Sequence, residues 1–174
     1  YGSLKPGARA KDFEIAIQWL VDAGLVYKVP LCKEVKLPLK VYEDPTAFKL
    51  FTLDLGLLGA MVGTEAKQVL IKNDIFSEYK GGMTEQYVLE EMKSNGEENI
   101  FYHKSDDGTR LEIDFMIQRD GKLLPIEVKA EGNVRANSLS NLLKQTPELH
   151  AFRYSMKPYI EQEQMTCYPL YAIQ

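Results

Sequence analysis

The chain has 174 residues, 45% of them hydrophobic and 26% charged, enough for one good-sized domain or two small ones around a real core. The net charge is -4, but residues 1–50 hold 8 Lys/Arg against 6 Asp/Glu while the remainder holds 13 against 19, a front of +2 and a rest of -6. That balance argues against tight, sequence-independent binding to nucleic acid over the whole surface. No apolar stretch approaches the ~18 residues of a membrane span, and there is no signal-peptide pattern, so no membrane partner and a cytoplasmic location are expected.

The chain opens on the loop-like Gly2-Ser3-Leu4-Lys5-Pro6-Gly7, and we expect a fragment of something longer. From Phe13 to Ala23 the apolar residues Phe13, Ile17, Leu20 and Val21 recur at helical spacing, with Gly24 as C-terminal cap. Two extended runs follow, Leu25 to Cys32 and Ala47 to Leu53, separated by Pro38 and an acidic turn at Glu43-Asp44-Pro45. Helix then hairpin reads as a winged-helix-like unit over residues 1–53, truncated at its start, although a helix beside any two-stranded ribbon has the same pattern. Lys28, Lys33, Lys36 and Lys40 are either a DNA tether on this ribbon or a solvated face. Leu55 to Met61 and Thr64 to Phe76 predict a helical connector over 54–80.

A boundary near Gly81 opens the last unit, 81–174. Thr84 is expected to begin a helix through Ser94, closed by Asn95-Gly96. After Gly96 the period becomes two. Asn99 to Lys104, Arg110 to Gln118 and Lys122 to Ala130 read as a three-strand meander with turns at Asp107-Gly108 and Asp120-Gly121. A polar loop, Glu131 to Asn137, leads to a helix from Ser138 to Gln145, then to strands near His150 to Ser155 and Cys167 to Ala172. The fold class is α+β. Cys32 and Cys167 match no metal or redox spacing and read as reduced thiols.

Strict alternation sets Glu112, Asp114, Met116 and Gln118 on one face of the second meander strand, and Pro125, Glu127, Lys129 and Glu131 on one face of the third. A two-residue loop at Asp120-Gly121 pairs Arg119 with Lys122 and puts Asp114 opposite Glu127. Opposed like charges cost roughly 0.2 to 1 kcal/mol, which a divalent cation would relieve. Magnesium accepts one or two carboxylates and fills its shell with water and phosphate oxygens. Lys129, two residues beyond Glu127 and on the same face, is placed to orient water or stabilise developing charge. The competing reading is a cross-strand salt bridge between Glu112 and Lys129 on a solvated face. His103 and His150 read as surface or packing residues. Lys144 and Gln145 read as substrate-positioning groups or as a solvated helix face.

An Asp followed on the next strand by Glu-x-Lys resembles the PD-(D/E)XK nuclease superfamily, whose core runs helix, three-strand meander, helix, strand. The resemblance implies a restriction-endonuclease-like α/β core with a mixed sheet flanked by helices. It also implies catalytic roles for Asp114, Glu127 and Lys129, and for Glu85 on the first helix, with Asp114 and Glu127 holding Mg2+ or Mn2+. Ile113 stands where the proline of the motif would be.

A wider resemblance rests on Trp19 to Leu25, on Phe48 to Leu58, on Glu112-Ile113-Asp114-Phe115 and on Pro125-Ile126-Glu127-Val128-Lys129. These runs are similar to the C-terminal region of bacterial and archaeal predicted AAA-type ATPases, where a P-loop module precedes a winged-helix-like segment and a nuclease-like domain. It implies an N-terminal ATPase domain in the same chain as partner, with ATP bound only there, since this sequence has no Gly-x-x-x-x-Gly-Lys-Ser/Thr. Metal-dependent phosphodiester hydrolysis of DNA or RNA is then the expected function. The alternative is a catalytically inactive regulatory or interaction module of the ATPase.

Overall fold

The computed structural model describes residues 10–63, 77–105, 111–130 and 137–173. The expected helix over Thr64 to Phe76, the Asp107-Gly108 turn and the loop from 131 to 136 lie outside them, as does the opening segment. Within them, eight strands and four α-helices form a mixed α+β fold on one sheet.

A short 3-10 turn, Ala10–Phe13, leads into α1, Glu14–Asp22. Gly24 (φ 69) ends the helix as expected. Its N–H bonds to the Val21 carbonyl and that of Leu25 to Leu20, which satisfies the last orphan acceptors. Strands β1, Val26–Cys32, and β2, Glu43–Thr52, form an antiparallel hairpin. Glu43-Asp44-Pro45 is therefore strand, not the expected turn. The register shifts between Pro30, opposite Phe48, and Leu31, opposite Asp44, and Pro45 falls in that irregular step, where a missing N–H is tolerated.

Asp54 caps α2, Leu55–Val62, accepting the Leu57 N–H at 2.7 Å. The next helix, α3, runs Ser77–Ser94, so it begins well before Thr84 and carries residue 81 in its interior. The Thr84 hydroxyl donates to the Lys80 carbonyl at 2.6 Å, the bond of a threonine inside a helix and not of a cap.

Strands β3, Phe101–Lys104, β4, Glu112–Arg119, and β5, Lys122–Lys129, make the expected antiparallel meander. Helix α4, Asn137–Gln145, carries the chain over to β6, Ala151–Ser155, which lies parallel to β5. Strands β7, Ile160–Glu161, and β8, Met165–Pro169, complete the order β2-β1-β3-β4-β5-β6-β8-β7. The expected wing is thus an edge of the same sheet, joined to the meander by the parallel pairing of Leu31 with Tyr102.

One core, with Val88, Leu89 and Met92, lies under α3; the other, with Leu139, Leu142 and Leu143, lies under α4. Cys32 and Cys167 are free and buried. No helix among the described residues is long and apolar enough to cross a membrane.

Candidate functional site

Asp120 (φ 52) and Gly121 (φ 71) both take left-handed conformations, the type I′ pattern whose twist suits an antiparallel pair. Arg119 therefore opposes Lys122, and the ladder runs down to Phe115 opposite Ile126. One more step would set Asp114 against Glu127, and there the ladder stops. Asp114 Oδ2 accepts the backbone N–H of Val128 at 2.7 Å instead.

The cause lies on the other side of β4. Between Met116, opposite Phe101, and Ile113, opposite His103, β4 carries one residue more than β3, a β-bulge at Asp114-Phe115. Strict alternation fails here. Ile113 and Met116 pack under α4, whereas Phe115 and Ile117 pack under α3. The simple polar face expected along β4 is replaced by a junction at which Asp114 accepts the Val128 N–H.

Glu127 is only 5% exposed, so its face is not solvated. Arg153, its register partner on β6, places Nη2 and Nε each 3.0 Å from Glu127 Oε2. Lys129 Nζ sits 2.9 Å from the other oxygen, Oε1. The competing pair of Glu112 with Lys129 does not form. Glu112 Oε1 instead meets Lys49 Nζ at 3.0 Å, and the same ammonium lies 3.8 Å from Glu85 Oε2.

These charges act on one another. Burial pushes the Asp114 carboxyl up to about 6, and Glu85 adds to the rise, while the Val128 N–H, Lys129 and Lys49 pull it down. Burial also raises the Glu85 carboxyl, with Lys49 opposing, Glu112 adding and Lys129 opposing. Burial lowers the Lys49 ammonium, but Glu85, Glu112 and Asp114 together outweigh it and leave it raised. The structure therefore brings Glu85, Asp114 and Lys129 into one electrostatic cluster and ties Glu127 to it through Lys129.

Among the described residues no group of three or more His, Cys, Asp or Glu is arranged to hold a metal ion. Asp114 and Glu85 act on each other through their charges, as Glu112 does on Glu85, and hard carboxylate oxygens of this kind are the donor type a divalent ion takes while completing its shell with water. Glu127 fits only by exchanging a partner, since each of its oxygens already faces a cation.

Other expected residues fall elsewhere. His103 Nδ1 is 2.9 Å from the Cys32 carbonyl, and His150 Nε2 is 2.8 Å from Thr166 Oγ1. Lys144 and Gln145 are exposed at the end of α4. On the hairpin, Lys33 pairs with Asp44, Lys36 with Glu34 and Lys40 with Glu43, while Lys28 lies over the Phe48 ring.

Residues 80–172, just over half of the chain, match the family described as Domain of unknown function (DUF4143). The chain belongs to this family. DUF4143 is known as a C-terminal region of AAA-ATPase-associated proteins. Residues 1–68 match a second family, Domain of unknown function (DUF8612). No curated protein matches. Among solved structures, the DUF4143 chain is similar to protein VC1899 from Vibrio cholerae, at 13% identity and a TM-score of 0.37, over 99% of this chain and 42% of that one. It spans less than half the length of that protein, and a likeness of this size carries no further weight.

The DUF4143 match contains Glu85, Glu112, Asp114, Glu127, Lys129 and Arg153, whereas Lys49 lies in the DUF8612 match. Sequence reasoning missed Lys49 and Arg153. Each is a cation within a strand of otherwise apolar or aromatic neighbours, the Ala47 to Phe51 run and the Ala151 to Tyr154 run, which is the signal that could have found them. It also missed Gln86, 2% exposed, whose amide bonds both the N–H and the carbonyl of Thr52 at 3.0 and 2.8 Å, as a neighbouring strand would.

Proposed function

We propose that residues 81–174 form a nuclease-like domain of the PD-(D/E)XK type. It would act with Mg2+ or Mn2+ on phosphodiester bonds of DNA or RNA, as the C-terminal part of an AAA-type ATPase whose P-loop module binds ATP. The hairpin would be a winged-helix-like unit and residues 54–80 its connector. The observation that carries this reading is Asp114 at the bulge, its buried carboxyl pushed up to about 6 with Glu85 adding to the rise and Lys129 opposing it. Perturbed carboxyls grouped with a lysine are what metal-assisted hydrolysis needs. The order α3, meander, α4, parallel β6 supports it.

Asp114 and Glu85 would hold the divalent ion, which when bound supplies Lewis-acid charge to the phosphoryl oxygens. The Val128 N–H fixes Asp114 Oδ2 and leaves Oδ1 as the donor. Lys129 orients the attacking water and stabilises charge developing on the phosphate. Arg153 anchors Glu127 from the next strand, and Glu127 in turn sets the position of the Lys129 ammonium.

One observation favours the second reading, an inactive regulatory or interaction module. Both oxygens of Glu127 are ion-paired, so this third carboxylate reaches a metal only by giving up Lys129 or Arg153. The two readings part in a cleavage assay on a mixed DNA and RNA panel with Mg2+ or Mn2+, using the full-length protein with and without ATP. Cleavage by the wild type that is lost in Asp114→Ala supports the nuclease. Cleavage by neither, or by both equally, favours the module.

A further inference from the structure

Lys49 is the one residue of the cluster that comes from the N-terminal hairpin. It sits on β2 opposite Val29, β1 pairs with β3 through Leu31 and Tyr102, and the Lys49 ammonium lies 5.1 Å from the centre of the Tyr102 ring. Its place is therefore set by sheet pairing and a cation–π contact and not by a loose loop. From there Nζ reaches Glu112 Oε1 at 3.0 Å on β4 and Glu85 Oε2 at 3.8 Å on α3, while its side chain keeps 26% exposure.

We propose that Lys49 is a tethered counter-cation, which holds the Glu85 and Glu112 carboxylates in place and competes with a divalent ion at Asp114 and Glu85. This rests on the metal site of the preceding reading and deepens it, because the hairpin, outside the DUF4143 match, then sets how tightly the site takes metal. The physical reason is Coulombic. A fixed positive charge within 4 Å of a ligating carboxylate repels an incoming cation, and at a partly exposed position removing it changes affinity by roughly tenfold. Lys129 also acts on Asp114 and Glu85, but it is paired at 2.9 Å with Glu127, whereas Lys49 is paired with Glu112 and lies 3.8 Å from Glu85 itself.

The test is Mn2+ binding to the 174-residue chain, read from the electron paramagnetic resonance signal of free Mn2+ at low salt, with thermal melting to confirm folding. Lys49→Met should bind Mn2+ roughly tenfold more tightly than wild type. Lys49→Arg should restore wild-type affinity, and Lys28→Met, on the same hairpin but over Phe48, should leave it unchanged. Binding by the wild type that is equal or weaker in Lys49→Met overturns the role given to Lys49 and leaves the Asp114 site standing. No Mn2+ binding by either protein overturns the metal site itself and the inference with it.

Discussion

Arg153 and Glu127 are register partners on neighbouring parallel strands, and two guanidinium nitrogens of the one lie 3.0 Å from a single carboxylate oxygen of the other. Glu127 is buried, so removing its partner strands a charge. Breaking a buried pair from one side typically costs about 3 to 5 kcal/mol, and because Lys129 remains we expect about 2 to 3 for Arg153→Met. The double variant Glu127→Gln, Arg153→Met should lose much less than the two single changes added together. Urea unfolding of all four proteins measures this, and additive losses would show that the pair is not coupled.

Asp114 should make stability fall as pH rises. Its folded carboxyl is raised to about 6 from an ordinary 3.8, so between those values the folded state binds more protons than the unfolded one. Stability is then highest below about pH 4 as far as this group is concerned, and is lost as pH climbs through 6. Asp114→Asn, which keeps an oxygen for the Val128 N–H, should be more stable than wild type at pH 7.5, by about 2 kcal/mol, and close to it at pH 4. Denaturant curves at both values decide the matter; an unchanged difference would remove Asp114 as its source.

Gln86 pairs with both backbone groups of Thr52, holding the helix that carries Glu85 against the strand that carries Lys49. Gln86→Ala leaves a buried N–H and carbonyl without these bonds, at a cost of about 2 to 4 kcal/mol. Amide hydrogen exchange at Thr52 should speed up in the variant, and unchanged protection there would contradict the role assigned to the amide.

The turn at Asp120-Gly121 sets the register from Arg119 to Phe115, beyond which the bulge turns Asp114 to the Val128 N–H. No heavy atom lies within 4 Å of a Cβ built on Gly121, so Gly121→Ala tests backbone strain alone. A loss of about 1 kcal/mol is expected at φ 71. Asp120→Gly, which relieves the same conformation one residue earlier, should not destabilise. A thermal melt of each separates the two.

Much of this was legible in the sequence because it is local. A two-residue turn with Asp-Gly names its own hairpin type, and the register from Arg119 to Phe115 follows from it. Helix ends at Gly24 and Gly96 are equally local, each needing only a positive φ. The bulge was not legible: one inserted residue at Asp114-Phe115 carries no glycine to mark it, and its effect is to undo the alternation that pattern reading relies on. Lys49 and Arg153 were missed for another reason. They reach the site through strand neighbours distant in sequence, by a parallel pairing on one side and a helical crossover on the other. Thr84 looked like a helix start because Gly81-Gly82 precede it, yet packing of Val88, Leu89 and Met92 outweighs the glycine cost and the helix continues upstream.

The pairing of Leu31 with Tyr102 has a practical bearing on where this protein can be cut. A construction limited to the 80–172 match would strip β1 from β3 and leave an open strand edge bearing Phe101 and Tyr102, both buried in the intact chain. Unpaired edges of that kind recruit other chains. The limits of family resemblance and the limits of an independently soluble fragment therefore do not coincide here, and the smallest well-behaved piece should start upstream of β1.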